Sequence, residues 1–166
     1  MKNFLFTAAI LISNISCSDA QTKFKKEALA SVLSTIENQN ITFEQITQKH
    51  TGKIVVIEFW ASWCSDCVKS MPKLKELQSK NPDVAYIFIS LDKTFEKWKI
   101  GIEKHELAGD HFLVTDPEGM KSKFGKSIKL DWIPRYIILD KTGKIVLFKA
   151  IETDFDKIQK TLTALK

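Results

Sequence analysis

The segment 54–60, Ile-Val-Val-Ile-Glu-Phe-Trp, constrains the fold of this chain more than any other segment. β-branched and aromatic residues favour strands, and a run that does not alternate with polar residues predicts a strand buried on both faces. Residues 84–91 form a second run of this kind. Because residues 64–80, between the two runs, have a helical pattern, we expect two parallel central strands in an α/β sheet with helices on both faces.

The size and composition of the chain fit one compact domain. It has 166 residues, of which 44% are hydrophobic and 27% are charged, and these values exclude a disordered chain and a multi-span membrane protein. Lysine and arginine number 25 against 20 acidic residues, and the resulting net charge of +5 is spread along the chain. This balance gives no reason to expect a nucleic-acid partner or binding to a charged lipid surface.

Hydrophobic spacing and turn residues predict the remaining elements. Apolar residues at helical spacing predict an amphipathic helix over residues 24–37. Thr42 and Gln45 have the spacing of a capping box, which predicts a short helix before Gly52. In chain order, the other predicted elements are a helix around 95–102, a short strand at 112–114, a short helix near 118–124, a hairpin of strands 135–140 and 145–149 with Gly143 in its turn, and a terminal helix over 155–165 capped by Thr153 or Asp154.

Residues 1–20 have the pattern of an export signal. Lys2 precedes an apolar stretch, residues 4–12, which is too short to span a bilayer as a helix. Two ways of processing remain open: cleavage after Ala20, or cleavage before Cys17 with attachment of lipid to it, since residues 14–17 resemble a bacterial lipoprotein signal. Both place the mature protein outside the cytosol, in a bacterial periplasm or as a membrane-anchored lipoprotein, where disulfides persist. We expect no other contact with a membrane.

Cys64 and Cys67 are separated by two residues at the start of the helix predicted after the first strand. This spacing puts the cysteines about one helical turn apart, and the free N–H groups at the helix start stabilise a thiolate on Cys64. A thiolate attacks disulfides, so we expect Cys64 to attack and Cys67 to resolve the mixed disulfide, at the carboxyl edge of the sheet. The alternatives are an inert disulfide and a structural zinc site. Zinc needs two further ligands, and the chain has no second cysteine pair, so we predict no metal.

The string Glu58-Phe59-Trp60-Ala61-Ser62-Trp63-Cys64-Ser65-Asp66-Cys67, with Met71-Pro72 and Ile133-Pro134 further on, resembles the thioredoxin superfamily. The likeness is greatest to the exported TlpA/ResA-like thiol-disulfide oxidoreductases and covers about residues 41–166. It implies a thioredoxin-like three-layer α/β sandwich in which helices flank a mixed central sheet. Residues 24–40 have no counterpart in that pattern, and we expect residues 21–40 to form an N-terminal helical extension.

The resemblance also implies what individual residues do. Cys64 would be the exposed nucleophile and Cys67 the buried resolving thiol, with their disulfide as the redox centre and no other cofactor. Pro134 matches the cis proline that lies against the disulfide in this family, and the backbone of Ile133 would pair with the substrate chain. The bulky residues around Pro134 depart from the small or hydroxylated neighbours usual in the family, so substrate preference does not carry over.

Glu58 stands where thioredoxins have a buried acid beneath the cysteine pair. A carboxyl inside an apolar strand is disfavoured as an anion, so we expect its pKa to be raised. Such a carboxyl can relay the proton of Cys67 as that thiol attacks. The alternative is a partly exposed acid at the end of the strand, without a part in the chemistry.

The residues next to the cysteines bear on substrate binding and redox poise. Trp63 is expected to line the approach to Cys64, whereas Trp60, Trp98 and Trp132 are predicted to be packing residues. Ser65 and Asp66 stand between the cysteines, and the negative charge of Asp66 disfavours a thiolate beside it. A less stabilised thiolate makes the dithiol easier to oxidise, so we predict a reducing potential, nearer to about −270 mV than to about −120 mV.

We therefore predict an exported enzyme that reduces or exchanges disulfides of other exported proteins through Cys64 and Cys67. By family analogy, the haem-attachment cysteines of apocytochrome c are one target, and a membrane-embedded thiol carrier would be the electron donor. Two alternatives remain open. One is a peroxiredoxin-like thiol peroxidase, although the chain lacks the Pro-x-x-x-Thr/Ser-x-x-Cys pattern of a peroxidatic site. The other is a non-enzymatic metal-binding or surface module.

Overall fold

The computed structural model describes residues 21–166, and the predicted export signal and Cys17 lie outside the described residues. The described part contains seven strands and six α-helices. They are, in chain order, α1 Lys26–Leu29, β1 Val32–Ser34, β2 Asn40–Thr42, α2 Phe43–Gln48, β3 Val55–Trp60, α3 Ser65–Lys80, β4 Ala85–Ser90, α4 Phe95–His105, β5 Asp110–Leu113, a 3₁₀ turn at Gly119–Lys121, α5 Lys123–Ser127, β6 Arg135–Leu139, β7 Ile145–Ala150 and α6 Phe155–Leu165.

One mixed sheet runs through the described part, with its strands in the order β2-β1-β5-β4-β3-β6-β7. Strands β3 and β4 are parallel neighbours near the centre, with Val55 opposite Ala85. Strand β6 lies antiparallel on the other side of β3, with Glu58 opposite Tyr136. Every residue of β3 and every residue of β4 except Ala85 is buried, which confirms the prediction of two parallel central strands covered on both faces.

Helices cover both faces of the sheet, so the molecule has three layers. On one face, the Tyr136 hydroxyl lies 3.3 Å from Ser70 of α3, and its ring lies 5.4 Å from that of Phe155 in α6. The opposite face carries Phe59, whose ring lies 6.1 Å from that of Phe124 in α5. Phe124 also packs against Phe43 of α2. This arrangement confirms the predicted α/β sandwich with a mixed sheet flanked by helices.

The amphipathic helix predicted over residues 24–37 is wrong. Helix α1 ends at Leu29, and β1 and β2 follow as an antiparallel pair within the main sheet. Strand β1 also pairs with β5, where Ser34 lies opposite Leu113. This pairing outweighs the helical spacing because it adds sheet hydrogen bonds and buries Leu33, which is 1% exposed. The region expected to be a helical extension therefore contributes a two-stranded hairpin to the sheet.

The other elements agree with the predictions to within a few residues. Thr42 and Gln45 form the capping box of α2. Gly143 has a φ of 81° in the turn between β6 and β7, a conformation that glycine adopts without strain. Asp154 is the N-cap residue of α6, although its side chain bonds to a preceding backbone N–H rather than to the helix. Within residues 21–166, no helix is both long enough and apolar enough to cross a membrane.

Candidate active site

Cys64 and Cys67 lie where β3 leads into α3. Cys64 is the N-cap of this 16-residue helix, and its Sγ accepts a hydrogen bond from the backbone N–H of Cys67 at 3.1 Å. The two cysteines form a disulfide, with their Cα atoms 5.3 Å apart. Because a helix N-terminus carries partial positive charge, this position stabilises negative charge on the Cys64 sulfur once the disulfide is reduced.

The two cysteines differ in their access to solvent. Cys67 is fully buried, whereas Cys64 keeps 6% exposure. The resemblance implied a more exposed nucleophile, but the carbonyl oxygen of Ile133 lies 3.5 Å from Cys64 Sγ and covers part of it. The Ile133–Pro134 bond is cis, as the resemblance implied. An incoming group therefore reaches Cys64 first.

A cleft of about 260 Å³ opens on Cys64. Trp63 and Trp132 in its wall are 57% and 50% exposed, so Trp132 is not the packing residue that we predicted. Trp60 and Trp98 are fully buried, as expected. Exposed apolar side chains grouped around a site mark a contact surface. The four apolar residues of the wall, termed the rim below, are Trp63, Met120, Trp132 and Ile133, and Ser65 and Asp66 complete the wall.

Glu58, in the middle of β3, is 2% exposed. Burial raises its pKa from 4.5 to about 8, and a hydrogen bond from Tyr136 acts in the opposite direction. The Tyr136 hydroxyl donates to Glu58 Oε1 at 3.3 Å, and Oε2 is buried without a hydrogen-bond partner among the described residues. The alternative of a partly exposed acid is wrong, and this carboxyl can take up or release a proton near neutral pH.

Tyr136 links Glu58 to the first turns of α3. Its hydroxyl also lies 3.3 Å from Ser70 Oγ, and Ser70 donates to the backbone carbonyl of Cys67 at 2.8 Å. Glu58, Tyr136 and Ser70 are termed the floor of the site below. Sequence analysis did not single out Tyr136 or Ser70. The one signal was positional, since Tyr136 follows Pro134 by two residues, in a predicted strand that can pair with β3.

A buried aspartate that the sequence analysis also missed holds the loop ahead of Cys64. Asp92, after β4, is 3% exposed. Its Oδ1 accepts from the Ser62 hydroxyl at 2.7 Å, and its Oδ2 accepts from the Ser62 N–H at 3.0 Å and the Ser90 hydroxyl at 2.8 Å. Because Ser62 stands two residues before Cys64, these bonds fix the path of the chain from β3 to the disulfide.

Arg135 anchors the loop that carries half of the rim. Its side chain is fully buried and forms an ion pair with Asp131. It also donates to the backbone carbonyl of Lys129 at 3.4 Å, and Asp131 pairs with Lys149 at 2.5 Å. These contacts fix the segment that leads to Pro134, and with it the backbone that faces the disulfide.

Asp66 lies in the first turn of α3 with 38% of its side chain exposed. The Nζ atom of Lys69 lies 3.8 Å from its Oδ1, so a cation stands beside the carboxylate. The predicted effect of Asp66 on a Cys64 thiolate therefore acts against a neighbouring positive charge and against screening by water. In the described part of the chain, no group of three or more His, Cys, Asp or Glu side chains is placed to hold a metal ion.

The fold and the site together define a protein with a dithiol–disulfide pair at the edge of an α/β sandwich, facing a cis-proline loop. The family model described as thioredoxin-like matches residues 52–145, which is more than half of the chain. The chain belongs to the thioredoxin-like family.

Known proteins with similar sequences and structures carry related names. Thioredoxin H8 from Arabidopsis thaliana is 44% identical over 50 residues, which are 30% of this chain and 34% of the relative. The thiol-disulfide oxidoreductase ResA from Bacillus cereus is 29% identical over 123 residues, covering 73% of this chain and 66% of ResA, just under two thirds. The structure of a thiol-disulfide oxidoreductase from Bacteroides fragilis matches with 25% identity and a TM-score of 0.63, over 79% of this chain and 96% of that one.

Proposed function

We propose that this protein is a thiol-disulfide oxidoreductase that reduces or exchanges disulfides of other proteins through Cys64 and Cys67. One observation carries the proposal: the two cysteines form a disulfide at the N-terminus of α3, with the backbone of Ile133 against Cys64. The similarity to ResA from Bacillus cereus and to the Bacteroides fragilis oxidoreductase supports the same activity.

In the reduced protein, Cys64 is the attacking group. Its thiolate attacks one sulfur of a target disulfide, a mixed disulfide forms at Cys64, and the other target sulfur leaves as a thiolate that takes up a proton. Cys67 then loses its proton and attacks the Cys64 sulfur, which re-forms the Cys64–Cys67 disulfide and releases the second target thiol. Two electrons and two protons pass to the target, and a thiol donor must then reduce the protein again.

The floor of the site serves the second of these steps. Cys67 is fully buried, and burial disfavours its thiolate, so its attack needs a proton acceptor close by. Burial raises the pKa of Glu58 to about 8. The ionised form of Glu58, whose share grows as the pH rises towards that value, can accept the proton and later release it.

The rim and Asp66 bear on the substrate and the direction of transfer. Trp63 would contact apolar residues beside the target cysteine, and the backbone of Ile133 would pair with the target chain. The charge of Asp66 and the polar Ser65 favour a reducing protein. We expect a redox titration to give about −270 mV rather than about −120 mV, and a potential above about −180 mV would contradict the reducing direction.

We further propose that the protein works outside the cytosol, since residues 1–20 have the pattern of an export signal. Its targets would be disulfide-containing exported proteins, among them apocytochrome c with its haem-attachment cysteines, and its donor a membrane-embedded thiol carrier. Lipid on Cys17 would attach it to a bacterial membrane, whereas cleavage after Ala20 would release it into the periplasm. The mass of the mature protein from an exporting cell distinguishes the two.

Trapping with Cys67→Ser tests the activity. Without the resolving thiol, mixed disulfides at Cys64 should accumulate in an exporting cell and be identified by mass spectrometry after non-reducing purification. The matched control is Cys64→Ser, which should trap nothing. If Cys67→Ser traps no protein either, the proposed activity is contradicted.

The peroxidase and the metal-binding module each predict a different measurable result. Peroxide consumption that survives Cys67→Ser but not Cys64→Ser would favour a thiol peroxidase. Stoichiometric metal on the purified reduced protein, without disulfide reductase activity, would favour a metal-binding module.

A further inference from the structure

The hydroxyl of Tyr136 contacts both the buried acid and the cysteine helix. Its oxygen lies 3.3 Å from Glu58 Oε1 and 3.3 Å from Ser70 Oγ, and all three residues are buried. Through Ser70, which donates to the Cys67 carbonyl at 2.8 Å, the hydroxyl is tied to the turn that contains the resolving cysteine. A tyrosine that only filled space would need no such pair of polar contacts.

We propose that Tyr136 is a positioning residue for proton transfer: it holds Oε1 of Glu58 by a hydrogen bond and leaves Oε2 available for the proton of Cys67. The inference rests on the proposed function, because it concerns the step in which Cys67 attacks. It extends that function, since Tyr136 acts through Glu58 and touches neither the sulfurs nor the target.

The hydroxyl can serve both protonation states of Glu58. It has one hydrogen and two acceptors within reach, Glu58 Oε1 and Ser70 Oγ. When Glu58 is ionised, the hydrogen turns to the carboxylate, because a bond to a charged acceptor is the stronger of the two. When Glu58 has taken up a proton, the hydrogen is free to turn to Ser70. The ionised form gains more from Tyr136 than the protonated form does, in agreement with the direction in which Tyr136 moves the pKa of Glu58.

The groups around Glu58 and Tyr136 leave the Tyr136 hydroxyl as the main polar partner of the Glu58 carboxyl. Burial raises the pKa of Tyr136, and so do the negative charges of Glu58 and, to a smaller extent, of Glu152 after β7. From α6 the neighbour is the ring of Phe155, and from β4 it is Phe88, opposite Glu58. On the far side of Phe88, burial lowers the pKa of His111, which favours its neutral form. Within residues 21–166, burial and Tyr136 are the two causes of the shifted pKa of Glu58.

The experiment isolates the Cys67 step. The full chain is loaded with 5-thio-2-nitrobenzoate as a mixed disulfide on Cys64, and the rate of its release by Cys67 is followed in a single turnover from pH 5 to pH 10. In the wild type, the rate should rise with pH along a titration that Glu58→Gln abolishes. Tyr136→Phe should move that titration to higher pH and slow release at pH 7 by about three- to tenfold, the net value of one typical hydrogen bond.

The matched control is Tyr86→Phe. Tyr86 is the other tyrosine of the chain; it lies in β4 and donates to the Leu77 carbonyl at 3.3 Å, near the far end of α3. This variant should keep the wild-type profile. In the double variant Glu58→Gln/Tyr136→Phe, removal of the hydroxyl should have no further effect on the pH dependence.

A second measurement keeps the volume of the side chain. Because the sequence has two tyrosines, the Tyr86→Phe protein made with 3-fluorotyrosine carries the label at Tyr136 alone. Fluorine makes the hydroxyl a stronger donor, so the titration should move to lower pH, opposite to Tyr136→Phe. If Tyr136 had a purely structural role, Tyr136→Phe and fluorination would not shift the titration in opposite directions.

The outcomes separate the two proposals. If the wild type releases the label along a titration that Glu58→Gln abolishes, while Tyr136→Phe and fluorination leave it in place, the positioning by Tyr136 is overturned and the proposed function stands. The same holds if Glu58→Gln has no effect. If the wild type with Cys67 intact fails to release the label, the proposed function itself is overturned, and the inference with it.

Discussion

The floor and the rim of this site reverse the usual distribution of polar and apolar residues. The floor places a carboxyl, a phenol and a hydroxyl in the core, with Glu58 2% exposed and Tyr136 fully buried. The rim exposes two tryptophans by half or more of their surface. A buried ionisable group costs stability, and large apolar side chains grouped on the surface are unusual unless they contact a partner. Under the proposed function, the two regions divide the work at one disulfide: the floor would handle the proton, and the rim would contact a partner.

The largest expected effect is on the pH dependence of stability, and it comes from the floor. The pKa of Glu58 is about 8 in the folded protein against 4.5 without the fold, so the folded state binds more protons between these values. Stability should therefore fall as the pH rises from about 4.5 to about 8, by on the order of 4 kcal/mol. In Glu58→Gln this loss should disappear.

Urea unfolding of the oxidised protein at pH 5 and pH 8.5 measures this difference. Glu44→Gln, which removes an exposed acid of α2, is the control and should follow the wild type. Parallel curves for the wild type and Glu58→Gln would show that the buried carboxyl does not titrate as described.

A smaller effect is expected where the loop ahead of the disulfide is anchored. Asp92→Ala removes the acceptor of three hydrogen bonds, one buried and two partly buried, and leaves the Ser62 and Ser90 donors without partners. Unsatisfied buried donors cost about 1–3 kcal/mol, so we expect a loss of about 2–3 kcal/mol in unfolding free energy, and slower reduction of a disulfide substrate because the loop before Cys64 is released.

Asp140→Ala is the matched control for this loop. Asp140 also accepts three hydrogen bonds, from Thr142 and Lys144, but in the turn between β6 and β7. It should lower stability less than Asp92→Ala and leave the rate of disulfide reduction unchanged. Equal losses of activity in the two variants would mean that Asp92 acts through stability alone.

The smallest effect on stability is expected at the rim. Trp132 is 50% exposed, so Trp132→Ala should change the unfolding free energy by less than about 1 kcal/mol. The same variant should raise the KM for a protein disulfide a few-fold and leave the reduction of a small aromatic disulfide nearly unchanged. Val32→Ala, at a residue that is 51% exposed outside the cleft, is the control. An unchanged KM in Trp132→Ala would assign substrate contact to the other residues of the rim.

The strands and the cysteine pair could be predicted from the sequence because each depends on residues close together in the chain. The apolar run of β3 and β4 reports burial on both faces, and the two-residue spacing of Cys64 and Cys67 by itself puts them within one turn of α3. Glu58 could be predicted for the same reason, since its apolar neighbours in the strand already imply a raised pKa.

The parts that could not be predicted depend on pairings between distant segments. The hairpin β1–β2 forms because β1 pairs with β5, where Ser34 lies opposite Leu113. Nothing in residues 24–37 alone predicts that pairing. Tyr136 and Asp92 form their hydrogen bonds with Glu58 and Ser62, which lie 78 and 30 residues away in the chain. The exposure of Trp132 depends on the loop held by buried Arg135, and a tryptophan in a sequence does not report whether it faces solvent.

The start of the described chain determines where a tether at Cys17 would join the domain. The carbonyl of Thr22 accepts from the N–H of Ile145 at 2.9 Å, at the beginning of β7. Strand β6 is antiparallel to both β3 and β7, so β3 and β7 run in the same direction. Because Cys64 follows the end of β3, the beginning of β7 lies at the opposite end of the sheet, about 20 Å from Cys64 along the strands. Five residues from Cys17 reach at most about 18 Å. A lipid there would attach the protein at the end of the sheet opposite the disulfide, so the anchor and the redox centre would lie on opposite sides of the domain.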